Sequence, residues 1–538
     1  MPHHALDARD TDAAVRARLT ALREELELPG EFPDDVLAEA QRSAQEVLST
    51  LESDESMASR VDLREMPFVT IDPRGSRDLD QAVFIEAHGP DGLRVHYAIA
   101  DLPAFVDFDG ALDAEARRRG QTVYLPDGRV PLHPPVISED AGSLLGGQDR
   151  PAFVWQMDLD AEGALGEVQL RRALVRSRAQ LTYDQVQRFL DTGETPALRP
   201  APGVADAETS AAESADEADD DASHPGSAPD VVVTWGPEIE QSLSLLPEVG
   251  ELRRAQEALR GGASLNLPDQ EIHVGASGYE LHTRIPLPIE DDNAHVSLLT
   301  GMAAARIMLE GGVGVLRTMP APDQDALDAF RARAEALGHA WPAELDYGGF
   351  LRTLDPALAH DLAILHAATS LFRGADYTVF DDRAEDQSLR GIPEDPEQSA
   401  LAAPYAHATA PLRRLVDRFV LMVCHALVTG QDVPGPVRAV LPELPELMRA
   451  SGQRASRADR GAVDLVEAAV LSRHVGHVLP GTVVRTRGES AEVQLQEPPA
   501  LVRVEAELEL GAAVRVRIEE ADVATATVGI SLAETAEG

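Results

Sequence analysis

The chain has 538 residues, 44% of them apolar, which is too long for one ordinary core and suits two to four folded domains. Its net charge of −45 argues against nonspecific nucleic-acid binding across the surface, though not against a buried, locally basic channel. A single cysteine, Cys424, excludes a disulfide scaffold or a cysteine metal cluster and fits a reducing cytoplasm.

Residues 1–60 are expected to be helical. Thr11 to Leu26 places Val15, Leu19, Leu22 and Leu26 on one helix face. Pro29 and Gly30 break that helix, and Pro33 opens a second with Asp34 and Asp35 in its first turn. The N-terminus lacks the basic-then-apolar pattern of a secretory signal, and no window reaches the length of a membrane span. A cytoplasmic monomer with no membrane partner is expected.

Met66 to Val83 follows, and the rest of the chain is read around it. Phe68 to Ile71 is a short apolar run with the character of a buried strand. It ends at Asp72, and Pro73 and Gly75 then force a turn. Asp78 and Asp80 begin the next apolar segment, and side chains two apart in extended backbone share a face. Three carboxylates brought together repel each other unless a cation neutralises them, and oxygen ligands of this kind suit Mg²⁺ or Mn²⁺. Aspartates beside Pro and Gly are also ordinary turn residues, and the spacing alone leaves both readings open.

The whole stretch FVTIDPRGSRDLDQAV resembles the signature of the ribonuclease II/R (RNB domain) family of 3′→5′ exoribonucleases. That family carries Asp, five residues, Asp, one residue, Asp-Asp. Asp72, Asp78 and Asp80 match the first three, and Gln81 stands at the fourth. The resemblance makes Asp72, Asp78 and Asp80 metal ligands. Asp80 matches the aspartate whose loss stops cleavage. Gln81 could offer a carbonyl oxygen but no charge. The sixty residues before the signature leave no room for the RNA-binding barrels that family members usually carry there; a helical piece packed on the catalytic domain is expected instead.

Phe68 to about Thr192 is expected to form the first half of a mixed α/β catalytic domain. Tyr124, in TVYLPDGRVPLHPP, stands where the family contacts bound RNA; a half-buried strand tyrosine is the plainer reading. Tyr183, in SRAQLTYDQV, stands where the family holds the 3′-terminal nucleotide. Residues 201–230, rich in Ala, Asp, Glu and Ser, are expected to be a disordered acidic insertion. A helix is expected over Glu251–Arg260 and a longer one over Asp291–Leu309. Leu265 stands where the family commonly has a base-stacking phenylalanine, and Asn293 lies in the region of a ribose-contacting Glu. An N-cap or core role for Asn293 remains equally open.

PYAHATAPLRRLVDRF, Pro404 to Phe419, resembles the family's second signature. Pro411 suits the first turn of a helix, which would set Arg413 and Arg414 where backbone amides favour phosphate. Arg413 matches the arginine that the family requires for cleavage, with Arg414 as a second RNA contact; a pair of surface arginines bridging to Asp417 is the alternative. A proline-punctuated connection then leads to a helix over Asp459–Val475. Five strands are expected at Pro480–Thr486, Ala491–Leu495, Leu501–Val504, Ala513–Ile518 and Thr525–Ile530, suiting an OB-like barrel. No Phe, Tyr or Trp follows Phe419, so such a barrel would lack stacking platforms for RNA.

The expected architecture is therefore α+β and multidomain: helices over 1–60, an RNB-type mixed α/β domain over 61–475 and an OB-like domain over 476–538. The resemblance implies an Mg²⁺- or Mn²⁺-dependent exoribonuclease acting on single-stranded RNA 3′ ends and releasing nucleoside 5′-monophosphates. The alternatives are an RNB-like RNA-binding protein impaired in catalysis, or a scaffold recruiting partners through its acidic loop.

Overall fold

The computed structural model describes residues 8–197, 234–265, 267–275, 278–356 and 358–533. The acidic insertion expected at 201–230 lies outside them.

A seven-stranded mixed sheet forms the centre of the molecule. Its order is Val61–Asp62, Leu165–Arg176, Asp149–Leu159, Gly92–Ala100, Gln81–His88, Val69–Asp72 and Ala179–Thr182. The two outer pairings are parallel and the rest antiparallel. Period-two patterning sorts the side chains between two cores. Val83, Ile85, Val95, Tyr97, Ile99, Phe153, Trp155 and Met157 face one core, closed by helices Pro237–Arg260, Pro288–Gly311 and Leu415–Val428. Ala82, Ala98, Ala100, Ala152 and Val154 face the other. The small residues on that second face let the helix Asp34–Thr50 lie close, through Val36, Ala40 and Ala44.

The two N-terminal helices pack on the rest of the chain, as expected, but in different places. The first, Ala8–Glu25, uses Val15, Leu19 and Leu22 to join a core built by the C-terminal strands and the helix Leu444–Leu471. The second belongs to the central sheet.

Several boundaries differ from the sequence reading. The helix expected at Glu251–Arg260 starts at Pro237 and absorbs Pro247. The one expected at Asp291–Leu309 spans Pro288–Gly311. The one expected at Asp459–Val475 is the second half of Leu444–Leu471. Pro445 is in the first turn of that helix, where a missing N–H has no intrahelical partner to lose, so it opens the helix rather than interrupting it.

The five C-terminal strands form one antiparallel sheet in the order Leu501–Val504, Ser490–Leu495, Val478–Arg487, Ala513–Asp522, Thr527–Ala533. The first and last strands of that order touch, which brings the sheet near barrel closure. Val514, Val516 and Ile518 point inward between exposed neighbours. Glu467 ties the long helix to this sheet: it accepts hydrogen bonds from the Leu501 backbone N–H at 2.7 Å and Gln270 Nε2 at 3.2 Å. Burial lifts its carboxyl to about 7.

The raised value sets the sign of a pH effect. Below the ordinary carboxyl range, Glu467 is neutral whether folded or not. As pH rises towards 7 the unfolded chain loses the proton first, and stability falls; above 7 the loss is constant. Glu467→Gln keeps an oxygen for both donors and removes the titration. Its melting temperature should exceed that of the wild type at pH 8, by a stability gain on the order of 3 kcal/mol, and the gain should vanish near pH 4.

Candidate active site

Asp72 ends its strand and pairs in register with Thr182, which places Tyr183 beside it. The chain then turns at Pro73–Ser76, closed by the Ser76 N–H to the Pro73 carbonyl at 3.2 Å. Gly75 supplies the left-handed φ of 82° that this turn requires. Leu79 is fully buried and anchors the next residues, with its N–H on Ser143 Oγ at 3.0 Å and its carbonyl accepting from the Leu144 N–H. Asp78 and Asp80, on either side of it, turn the other way.

The Pro404–Phe419 segment meets this loop from more than 300 residues away in the chain. Asp80, 4% exposed, accepts the Leu412 backbone N–H at 2.7 Å through Oδ1. Its Oδ2 lies 3.5 Å from Arg413 Nε. Burial pushes the Asp80 carboxyl well above the usual carboxylate range, against the pull of Arg413 and the Leu412 amide. Asp72 is pushed up to about 7 by burial, with repulsion from Asp78 adding and attraction from Arg413 opposing. Its Oδ2 is buried and accepts no hydrogen bond among the described residues. Asp78 is held differently, by Arg129 Nη1 at 2.6 Å and the Tyr124 hydroxyl at 3.2 Å.

The structure thus brings Asp72, Asp78, Asp80, Arg413, Tyr124 and Tyr183 to one place. Tyr124 is 52% exposed, so it edges the site rather than filling a core. Tyr183 is pushed up to about 12 by burial and the nearby Asp72. Asn293 is also here: its Nδ2 reaches the Tyr183 hydroxyl at 3.4 Å. It lies inside Pro288–Gly311, which rules out the N-cap role.

Two expectations are corrected. Pro411 is not in a helix. Residues 410–413 form a turn, with the Arg413 and Arg414 N–H groups on the Ala410 carbonyl, and the helix begins only at Leu415. The chain around Arg413 runs instead beside Gly120–Thr122: the Thr122 N–H donates to the Arg413 carbonyl and the Leu415 N–H to that of Gly120. Arg413 is therefore aimed by strand-like pairing, not by a helix N-terminus. Arg414 turns away to Asp417, which it grips at 3.0 and 2.8 Å. Asp417 is fully buried and also accepts the Ala410 N–H at 2.8 Å. The bridging alternative holds for Arg414 and fails for Arg413.

Gln81 is a brace within this structure. Its Nε2 donates to the Thr409 carbonyl at 2.7 Å, and its Oε1 accepts from the Tyr97 hydroxyl at 2.7 Å. Tyr97 also meets Ser297 Oγ at 2.8 Å. Both ends of the Gln81 amide are engaged, each by one hydrogen bond.

Arg129 is a site residue that the sequence reading missed. Val123–Leu125 and Gly128–Val130 form a hairpin in which Tyr124 and Arg129 sit directly opposite and so share a face. The Asp127-Gly128 pair between them was the available signal.

Buried carboxylates suit a divalent cation by their chemistry, although the oxygens of Asp72, Asp78 and Asp80 do not all converge within 4.8 Å of one another in this structure. Asp72 and Asp80 are ionised only against the cost of burial, and Asp72 Oδ2 has no protein donor. A hard cation satisfies both conditions through oxygen.

Residues 60–430 match the RNB domain, and residues 477–533 match the RNase II-type exonuclease C-terminal S1 domain. Ribonuclease R of Vibrio cholerae is 26% identical over 499 residues, covering 88% of this chain and 53% of that protein. The chain thus spans about half the length of such curated relatives. Mycoplasma genitalium RNase R, solved in complex with ribose methylated single-stranded RNA, superposes with a TM-score of 0.79 at 17% identity, over 97% of this chain and 78% of that one. Yeast Ssd1, described as a pseudonuclease, superposes with a TM-score of 0.62 at 15% identity, over 84% of this chain and 51% of that one. The fold is shared by both, so activity rests on the side chains.

Gln81→Asp, one methylene shorter and without an N–H, would remove the hydrogen bond to the Thr409 carbonyl. It should lower stability by about 1–3 kcal/mol, measured by denaturant unfolding, while Gln81→Glu offers no N–H either and should not recover the loss.

Proposed function

Because the chain belongs to the RNB-domain family, we propose that it is a metal-dependent 3′→5′ exoribonuclease that hydrolyses single-stranded RNA to nucleoside 5′-monophosphates. The observation that carries this reading is the junction of Asp80 with Leu412 and Arg413, which joins two distant signatures at one buried carboxylate.

Asp72, Asp78 and Asp80 would hold Mg²⁺ or Mn²⁺. A cation there supplies Lewis-acid polarisation of a phosphate oxygen and activation of water. Arg413 keeps its charge: burial is the largest single effect and works against it, but Asp80, Tyr124 and Asp417 together outweigh burial, and nearly half of its side chain is open. Its planar guanidinium can take two oxygens of the scissile phosphate and neutralise charge that develops there. Arg129 fixes Asp78 while Tyr124 forms the rim of the site, and Tyr183 with Asn293 lines the side next to Asp72. These tyrosines offer faces and hydroxyls to the last nucleotides. Arg414 helps only by holding the turn through Asp417.

The catalytically impaired alternative has one specific observation in its favour. The position of the fourth family acid carries Gln81, whose amide is engaged on both sides. Three carboxylates and Arg413 remain, and these favour an active enzyme.

With 5′-labelled single-stranded RNA and Mg²⁺ or Mn²⁺, the wild type should give a ladder shrinking from the 3′ end. Asp80→Asn should give none, and Arg413→Ala should lower the rate by about 10²–10³-fold. RNA binding without cleavage in the wild type would favour the impaired alternative. The Asp72 value near 7 adds a second expectation. Below it the proton competes with the cation, so the metal concentration giving half-maximal rate should fall as pH is raised from about 6 to about 8.

A further inference from the structure

A second cluster of ligand-type side chains lies outside this site, in the helical layer beside the C-terminal sheet. His339 follows the helix Gln324–Ala336, and His360 and Asp361 begin the helix Ala359–Ala368. Asp361 is only 2% exposed. Its Oδ2 accepts the Asp355 backbone N–H at 2.9 Å. Its Oδ1 lies 3.3 Å from His339 Nδ1 and 3.0 Å from His360 Nε2. Neither approach is aligned as a hydrogen bond. Asp361 Oδ1 and His339 Nδ1 are both buried atoms with no hydrogen-bond partner among the described residues. The three donor atoms lie within 4.8 Å of one another, and the two imidazole rings stack at 5.3 Å.

A buried carboxylate oxygen without a donor is costly. Two imidazole nitrogens converging on it without hydrogen bonds do not relieve that cost. A cation between all three would. Tetrahedral zinc, with bonds near 2.0–2.1 Å, separates its ligand atoms by roughly 3.3 Å. One separation, 3.3 Å, matches that distance and the other, 3.0 Å, is slightly shorter. Imidazole nitrogen with a single carboxylate suits zinc, whereas Mg²⁺ and Ca²⁺ prefer oxygen throughout.

We infer that His339 Nδ1, His360 Nε2 and Asp361 Oδ1 bind a Zn²⁺ ion, with a fourth position left for water. The ion would tie the segment after Gln324–Ala336 to the start of Ala359–Ala368, across a core containing Phe330, Trp341 and Phe350. The second of these helices packs on strand Val478–Arg487, so the ion would stiffen the support of the C-terminal sheet. His339 and His360 are partly exposed, which gives zinc a way in.

The test is zinc titration of the metal-free, full-length protein against a chromophoric chelator, with excess Mg²⁺ present to occupy the aspartate cluster. The wild type should take up one equivalent of Zn²⁺ and melt at a higher temperature. His339→Ala and His360→Ala should each weaken uptake by at least about tenfold. Asp80→Asn should bind zinc as the wild type does, since it alters only the other site. The melting curve of each metal-free variant checks that it is folded. No uptake by the wild type would overturn the proposal. So would uptake that survives both histidine changes, or uptake lost in Asp80→Asn, which would place the ion in the aspartate cluster.

Discussion

The hydrogen bond from the Leu412 N–H to Asp80 is the contact on which the site depends. An ionised carboxylate buried this deeply is unstable alone. It needs the Leu412 amide, the Arg413 charge and, on our reading, a cation. The same bond fixes the turn at Pro411 and thus the aim of Arg413. One buried acid therefore sets both halves of the site, and neither half is in place without the other.

Around it the polar groups divide their tasks. Of two adjacent arginines, Arg413 faces the aspartates and Arg414 is spent on Asp417. Asp417 in turn holds the Ala410 N–H, so the pair Arg414–Asp417 shapes the turn that Arg413 rides on. Gln81 braces the same turn from the other side through Thr409. An aspartate at that position would be shorter and could not donate to Thr409, which gives the glutamine a structural reason.

Much of this was legible in the sequence. A short apolar run gave the strand that ends at Asp72, alternation gave the C-terminal strands, and Leu501–Val504 was read to the residue. The two signatures named the aspartates and Arg413 because their chemistry is concentrated in short, unusual patterns. Prolines misled where they open helices, as Pro445 does, or where they precede a turn, as Pro411 does, since proline suits both settings. The role of Gln81 was hidden because it is decided by a partner far off in the chain, and which arginine bridges to Asp417 stayed open because a one-residue rotation of the backbone decides it. Arg129 was hidden for a related reason: only hairpin register puts it opposite Tyr124.

The placement of Ala8–Glu25 has a consequence for how the molecule is made. Its apolar face is covered by the helix Leu444–Leu471 and the strand Gly278–Arg284, so it waits for residues made much later. Until then Val15, Leu19 and Leu22 stay uncovered on a growing chain. Closure of that core across more than 400 residues is a slow, late step, and it comes after the central sheet has its own strands in hand. Translation that stalls before the helix Leu444–Leu471 emerges would leave a nascent chain with a loose, sticky first helix.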